Sequence, residues 1–182
     1  MTSKRQLLII VMLALAVRLW GLHWGLPNEQ HYFSYHPDEI TVTGSARNIV
    51  STGDLNPHFF NYGSLYIYLL ALLLAPAGGA SLATATLVGR LLTVAFGVAT
   101  VALLFALARR ALGERWAWTA ALLLALVPLH VVHSHFATVD VPLAFWALLV
   151  LWLTLLAVEK GSGRLLAGAG AVAGLAAATK YN

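Results

Sequence analysis

The stretch SLYIYLLALLLAPA, residues 64–77, decides how many helices of this chain cross a bilayer. It is strongly apolar, but about 14 residues are too few for a helix that needs about 20 to span the hydrocarbon core. A length of this kind is typical of a helix that re-enters the membrane or lies along its surface. We therefore predict a re-entrant or interfacial helix over residues 64–77, directly after a polar loop over residues 27–63.

The composition of the whole chain places it in a membrane. Of its 182 residues, 60% are hydrophobic and 10% are charged, and the mean hydropathy is +0.80. A soluble domain carries roughly 25% charged residues, so this chain lacks the polar surface that water requires. The net charge of +4 is no argument for a nucleic-acid partner, and we expect none. The absence of cysteine excludes disulfides and thiolate metal sites.

The predicted fold class is all-α, a polytopic transmembrane helical bundle with helices at its outer membrane surface. A secretory signal peptide is an alternative for the first apolar segment, but no A-x-A cleavage site precedes the loop, which favours a retained anchor. The predicted spans are 6–26, 86–108, 116–133, 139–158 and 164–179.

The distribution of basic residues predicts the orientation of the bundle. If residues 64–77 do not cross, one face collects most of the basic side chains, and the positive-inside rule makes that face cytoplasmic. The polar loop and its acids then lie outside, and we expect a plasma-membrane protein with an outer active face. The basic residues of the inner face are Lys4, Arg5, Arg109, Arg110, Arg115, Lys160 and Arg164.

The tetrapeptide HPDE, residues 36–39, is the first candidate for chemistry. Proline at a first helical position, followed by two acids that complement the helix dipole, is typical of a helix start. A carboxylate at the boundary between lipid and water is also partly desolvated, which favours its use as a general base. The two interpretations are compatible. In the same loop, Asp54 lies near His58.

A second polar group follows in LHVVHSHFATVD, residues 129–140, which contains His130, His133, His135 and Asp140. Histidines with an aspartate can hold a metal ion, but their spacing matches no defined metal motif. The cofactor is unknown. A divalent cation is the one candidate that we consider, with Asp38, His135 and Asp140 as its possible ligands.

Arg90 and Lys180 lie in apolar surroundings near the outer ends of their predicted spans. Such side chains usually have partners or extend to the lipid headgroups. The alternative is that they contact the phosphate of one specific lipid.

Six segments, in this order, resemble the GT-C membrane glycosyltransferases. The most similar branch is glycosyltransferase family 39, the group of the protein O-mannosyltransferases (dolichyl-phosphate-mannose-protein mannosyltransferases) and aminoarabinose transferases. The segments are ARNIVSTGDLNPHFF (46–60), YGSLYIYLL (62–70), GRLLTVAFG (89–97), ALARRALGERWAWTAALLLALVP (106–128), HSHFATVDVPLAFW (133–146) and GLAAATKYN (174–182).

The resemblance implies an enzyme that transfers a sugar from a polyprenyl-phosphate donor to a lipid, glycan or protein acceptor at the outer face of the membrane. By this resemblance Asp38 matches the catalytic base, with Glu39 as its neighbour. Asp140 matches a second outer acid, which shapes the site or holds a cation. The expected substrate-binding residues are His36, His58, Tyr62, Arg90, Asp140 and Lys180.

Two departures from the family pattern bear on these expectations. Many relatives carry a lysine–proline pair before the LYIYLL helix, whereas this chain has Tyr62-Gly63-Ser64. Relatives also have more spans, so the remaining C-terminal part of such an enzyme is expected outside this chain. Two other functions stay open: a transporter or flippase of a lipid-linked substrate, and a non-catalytic subunit or remnant. A transporter would more often show internal repeats and charged sites at mid-membrane.

Overall fold

The computed structural model describes residues 3–78 and 80–181. Within this part every regular element is a helix, which confirms the all-α bundle. The elements are α1 Ser3–Leu19, α2 Pro37–Thr52, α3 Leu65–Leu74 with a 3₁₀ turn Ala75–Ala77, α4 Leu82–Leu112, α5 Glu114–Leu126, α6 Pro128–His133, α7 Asp140–Lys160 and α8 Gly163–Thr179.

Two of the described helices are long and apolar enough to cross a membrane. They are α4, with 31 residues, and α7, with 21 residues. At about 1.5 Å per residue, both exceed the roughly 30 Å of the hydrocarbon core. The apolar helices α3 and α8 are shorter. Together with the composition, these helices identify a helical membrane bundle.

Two of the predicted spans differ from the helices that form. The span predicted over 6–26 is helical only to Leu19, because Gly21 and Gly25 adopt φ of +75° and +65° and turn the chain. The span predicted over 116–133 breaks at Val127, whose ψ is 122°. Pro128 is the cause, since proline lacks an N–H and forces the preceding residue into extended geometry.

Helix α2 begins at the HPDE sequence, as the helix-start interpretation predicted. His36 is its N-cap and Pro37 opens the first turn. Its buried face packs on α3 and α4 through a shared apolar core, which includes Val42, Ala46, Ile49, Tyr66, Ile67, Leu70 and Ala85. Gly53, with φ of +74°, ends the helix. The interfacial position expected for α3 stays a prediction.

The contacts between helix ends show which of these ends lie together at each end of the bundle. An ion pair between Arg110 and Glu159 joins the carboxyl ends of α4 and α7. Gln6 lines one groove with Glu114 and Arg115, so the first turns of α1 and α5 lie near each other. The amino-terminal half of α4 packs against α2 instead. Basic side chains are therefore gathered at the end of the bundle opposite to α2.

We expect the end that carries α2 to lie outside the cytoplasm. Because the chain has no cysteine, single cysteines at the exposed Ser51 and Glu114 can be labelled without background. In intact cells an impermeant thiol reagent should label Ser51→Cys, and Glu114→Cys should react only after the membrane is opened. The opposite pattern would reverse the orientation given by the positive-inside rule.

Candidate functional site

Asp38 and Glu39 point in different directions from the first turn of α2. Successive helical residues are rotated by about 100°, so adjacent side chains cannot share a face. Glu39 belongs to the buried face and is 0% exposed, whereas Asp38 is half-buried at the loop. The Tyr62 hydroxyl donates a hydrogen bond to Asp38 Oδ2 at 3.0 Å. The acid pair of the sequence is therefore divided between two environments.

Lys180 lies over the ring of Tyr62. Its Nζ is 5.4 Å from the centroid of the tyrosine ring and donates to Asp140 Oδ1 at 3.0 Å. His133 Nδ1 lies 4.0 Å from the second oxygen of Asp140. We call Asp38, Tyr62, Lys180 and Asp140 the polar cluster. Its members come from α2, the loop after α2, the end of α8 and the start of α7.

A close backbone contact brings Tyr62 and Lys180 together. The backbone of Gly63 lies against that of Ala178 and Thr179, where any Cβ would overlap the carbonyl of Ala178. The Tyr181 hydroxyl also donates to the carbonyl of Phe60. The Tyr62-Gly63-Ser64 departure from the family pattern therefore has a structural reason, since only glycine allows this approach.

The contacts within the polar cluster shift the pKa values of Tyr62 and Lys180. Burial raises the pKa of Tyr62, and the hydrogen bond to Asp38 and the charge of that carboxylate raise it further. The hydrogen bond to Asp140 raises the pKa of Lys180. Tyr62 is thus a neutral phenol and Lys180 an ammonium ion at neutral pH. The cluster holds two donor groups, one neutral and one cationic, between two carboxyl groups.

Glu39 and Arg90 form a closed ion pair inside the bundle. Arg90 Nε and Nη2 each donate to one oxygen of Glu39 at 2.8 Å. Arg90 Nη1 donates to the carbonyls of Leu22 and Trp24, and the backbone N–H of Ala137 donates to Glu39 Oε1 at 2.7 Å. Both side chains are at most 2% exposed.

This pairing changes the roles expected for Glu39 and Arg90. A catalytic role does not fit a carboxylate whose two oxygens are occupied and which has no exposed surface. Contact with a donor phosphate likewise does not fit Arg90, which is enclosed by Glu39 and two backbone carbonyls. The pair instead fixes α2 to α4 and to the segments that contain Leu22 and Ala137.

The two histidines expected to bind substrate have local partners. His36 Nδ1 accepts from the backbone N–H of Asp38 at 3.3 Å, and its ring lies 4.8 Å from that of Phe136. His58 Nε2 lies 3.0 Å from Asp54 Oδ2, and the pair is exposed. Hydrogen bonds from Asn56 and His58 lower the pKa of Asp54. His36 therefore positions Asp38, and His58 shapes the loop.

The candidate metal ligands do not come together. Both ring nitrogens of His135 lie within hydrogen-bond distance of backbone carbonyls, that of Val131 at 2.8 Å and that of Trp20 at 2.9 Å, so both positions are already occupied by the backbone. Across residues 3–78 and 80–181, no three His, Cys, Asp or Glu side chains could share a metal ion. The donor set of Asp38, His135 and Asp140 does not fit a divalent cation, and we derive no step through one.

An apolar groove leads to the polar cluster along α5, α6 and α7. Its volume is about 420 Å³, and Asp140 forms part of its wall. The other residues that line it are Leu124, Val127, Leu129, His130, His133, Val141 and Ala144. Asp140, His130 and His133 are thus the polar part of its wall, and the remainder is lined by aliphatic side chains.

A family model for dolichyl-phosphate-mannose-protein mannosyltransferases matches residues 65–182, from the start of α3 to the end of the chain. The chain belongs to this family. It is therefore a mannosyltransferase-like membrane glycosyltransferase, as the motifs indicated. No curated protein and no solved structure matches it. Asp140, Lys180 and the groove of this transferase lie inside the matched range, whereas Asp38 and Tyr62 precede it.

Sequence reasoning assigned no role to Arg18 of the transferase, which is fully buried. Its guanidinium donates to the carbonyls of Ala14, Leu124 and Ala125 and to Ser134 Oγ, at 3.0–3.3 Å. The carbonyl of Leu124 lacks a helical partner because the residue four positions later is Pro128. An arginine in an apolar helix, together with a proline that frees such a carbonyl, was the signal available in the sequence.

Breaking the Glu39–Arg90 pair of the transferase should strongly destabilise it. Arg90→Met leaves a buried carboxylate without its cation, and removing one partner of such a pair typically costs about 3–5 kcal/mol. Glu39→Gln combined with Arg90→Met should recover much of that loss, since neither charge is then buried alone. Unfolding in detergent measures both. Equal stability of Arg90→Met and the unmodified protein would contradict the pair's role in joining α2 to α4.

The Lys180–Asp140 contact should weaken in alkali. The pKa of Lys180 is raised above its ordinary 10.5, so its contribution to stability is complete below pH 10.5 and is lost as pH rises through the raised value. Asp140→Asn removes the main cause of the raised pKa of Lys180. The variant should have a lower Tm at neutral pH, and its Tm should fall less as the pH rises into the alkaline range. Thermal unfolding between about pH 8 and 12 measures this. Asp54→Asn is the control, because the lowered pKa of Asp54 acts only in acid; a matching alkaline change in that variant would contradict the assignment.

Proposed function

We propose that the protein transfers a sugar from a polyprenyl-phosphate donor to a hydroxyl group of a lipid, glycan or protein acceptor at the outer face of the plasma membrane. One observation carries the proposal. Tyr62 contacts both a carboxylate, Asp38, through its hydroxyl and an ammonium group, Lys180, through its ring, and the partner of Lys180, Asp140, lines an apolar groove, in a chain of a mannosyltransferase family. A base and a cation close together are what this transfer requires.

Asp38 is the proposed general base. The acceptor hydroxyl attacks the anomeric carbon of the donor sugar, and its proton passes to Asp38 as the new glycosidic bond forms. Tyr62 donates to Oδ2, and no described residue forms a hydrogen bond with Oδ1, so that oxygen is free to take the proton. The tyrosine hydroxyl also holds the carboxylate in one orientation, because it keeps its own proton.

Lys180 is the proposed cation for the leaving group. As the bond between the anomeric carbon and the phosphate oxygen breaks, its electron pair moves onto the phosphate, and a positive charge nearby stabilises it. Lys180 donates one of its three N–H groups to Asp140 and keeps two for the phosphate. Asp140 holds the ammonium in place, so its role is positioning.

The apolar groove is the proposed site of the donor's prenyl chain. Its aliphatic walls suit a hydrocarbon chain, and Asp140, which is paired with Lys180, is part of its lining. A chain in this groove would present its phosphate to Lys180. The gathering of basic side chains at the opposite end of the bundle supports an outer site.

Asp38→Asn should abolish most of the transfer activity. The change keeps the size of the side chain and removes the base, and loss of a general base typically costs about 10²–10⁴-fold in rate. The assay is transfer of labelled sugar from a polyprenyl-phosphate donor in membranes of cells that make the protein. Asp54→Asn is the matched control, because Asp54 lies in the loop after α2 and its side chain contacts Asn56 and His58 of that loop; it should keep activity within about twofold.

Lys180→Gln should act mainly on donor use, seen as a higher KM for the lipid-linked sugar.

A loss of less than threefold in the transfer rate of a folded Asp38→Asn protein would remove the catalytic assignment of Asp38. Asp38 would then be a helix-start residue that contributes about 0.3–1 kcal/mol through the dipole.

A further inference from the structure

The ring of His130 is held in one tautomer by Arg18. Arg18 Nη2 lies 2.9 Å from His130 Nδ1. A guanidinium group can only donate, so Nδ1 must accept, and a neutral imidazole then carries its proton on Nε2. The contact between these two side chains therefore determines which nitrogen of His130 is the donor.

Arg18 cannot easily turn away from this contact. It is 0% exposed, and its remaining donors meet three carbonyls and Ser134. Gly97 leaves room for it on α4, where a Cβ would lie 2.7 Å from Ser134 Oγ and 3.1 Å from Arg18 Nε. The orientation of His130 is therefore built into the packing of α1, α4 and α5.

The donor nitrogen of His130 has no partner. Nε2 is buried and makes no hydrogen bond with any described residue. Buried polar groups are normally paired, so an unpaired one needs an explanation. His130 lines the apolar groove together with His133, whose buried Nδ1 also lacks a hydrogen bond within the described part of the chain.

The charges around these two nitrogens favour an anion. Arg18 lies behind His130, and Lys180 reaches the same wall through Asp140. His133 Nδ1 faces Asp140 Oδ2 at 4.0 Å, whereas His130 Nε2 has no partner among the described residues, so two cations and one carboxylate leave a net positive charge near an unpaired N–H of His130. If a phospholipid occupied this apolar groove, its phosphate oxygen would accept a hydrogen bond from the buried N–H.

We propose that His130 is a substrate-binding residue that donates from Nε2 to the phosphate of a prenyl phosphate in this groove, with its tautomer set by Arg18. The prenyl identity of the lipid rests on the proposed function. The recognition of a phosphate by His130 rests on the contacts of Arg18, His130 and the groove.

The first experiment reads the tautomer directly. The protein is labelled with ¹⁵N-histidine and placed in phosphatidylcholine nanodiscs. His130, assigned by comparison with His130→Phe, should show a neutral ring protonated at Nε2. Adding undecaprenyl phosphate should shift its Nε2 resonance, whereas undecaprenol, which lacks the phosphate, should not. A ring protonated at Nδ1, or equal shifts with both lipids, would overturn the proposal.

The second experiment measures binding of the same two lipids to variants in nanodiscs. His130→Phe fills the space of the ring without a donor and should weaken binding of undecaprenyl phosphate by about tenfold, the value of one hydrogen bond to a charged group. It should leave binding of undecaprenol within about twofold. His130→Gln keeps an N–H near the position of Nε2 and should recover part of the loss.

Leu129→Ala is the matched control on the same wall of the groove. It removes apolar contact only, so it should weaken binding of both lipids equally. If His130→Phe also weakens the binding of both lipids equally, or of neither, His130 is a packing residue and the proposal fails.

Competition by millimolar inorganic phosphate, lost in His130→Phe, would support a site that accepts phosphate from either source. Discrimination between the lipids without such competition would support a lipid-bound phosphate alone.

These readouts do not depend on turnover. A protein that binds undecaprenyl phosphate through His130 but shows no Asp38-dependent transfer would keep this inference and reject the proposed function. Transfer that depends on Asp38, without any effect of His130 on phosphate recognition, would keep the proposed function and reject this inference.

Discussion

The buried pair of Glu39 and Arg90 is the constraint on which the arrangement of the outer end depends. A charge in an apolar interior is tolerated only when it is paired and hydrogen-bonded. The pair meets this condition by drawing three backbone groups, at Leu22, Trp24 and Ala137, to one point. Four separate parts of the chain are therefore fixed relative to one another, because the two buried charges require these hydrogen-bond partners.

The direction of Asp38 follows from that constraint. Because Glu39 must face Arg90, the rotation between consecutive helical residues turns Asp38 toward the loop and Tyr62. A buried ion pair and a reactive carboxylate are thus set by adjacent positions of one helical turn. Glu39 holds the backbone of this turn in place through its contact with Arg90. Asp38 stays accessible on that same turn, which cannot rotate.

The membrane class and the start of α2 could be predicted from composition, apolar run length and the HPDE pattern. The partner of Arg90 could not, because Glu39 lies 51 positions away and hydropathy does not encode which helices approach each other. The end of α1 was missed for a related reason, since the positive φ of Gly21 leaves no trace in an apolar run. The contact of Gly63 with α8 is a packing property, and glycine in a loop commonly indicates only a turn.

The break at Pro128 inverts a common rule of protein stabilisation. Substituting a proline near the middle of an apolar segment with alanine usually strengthens a helix. Here a continuous helix would supply the missing N–H to the carbonyl of Leu124, which is a hydrogen-bond acceptor for Arg18. A straighter α5 would therefore compete with the buried guanidinium for its acceptors and leave a cation undersolvated in the core. Engineering based on consensus or helix propensity would replace this proline, although Pro128 is what leaves the carbonyl of Leu124 free to accept from Arg18.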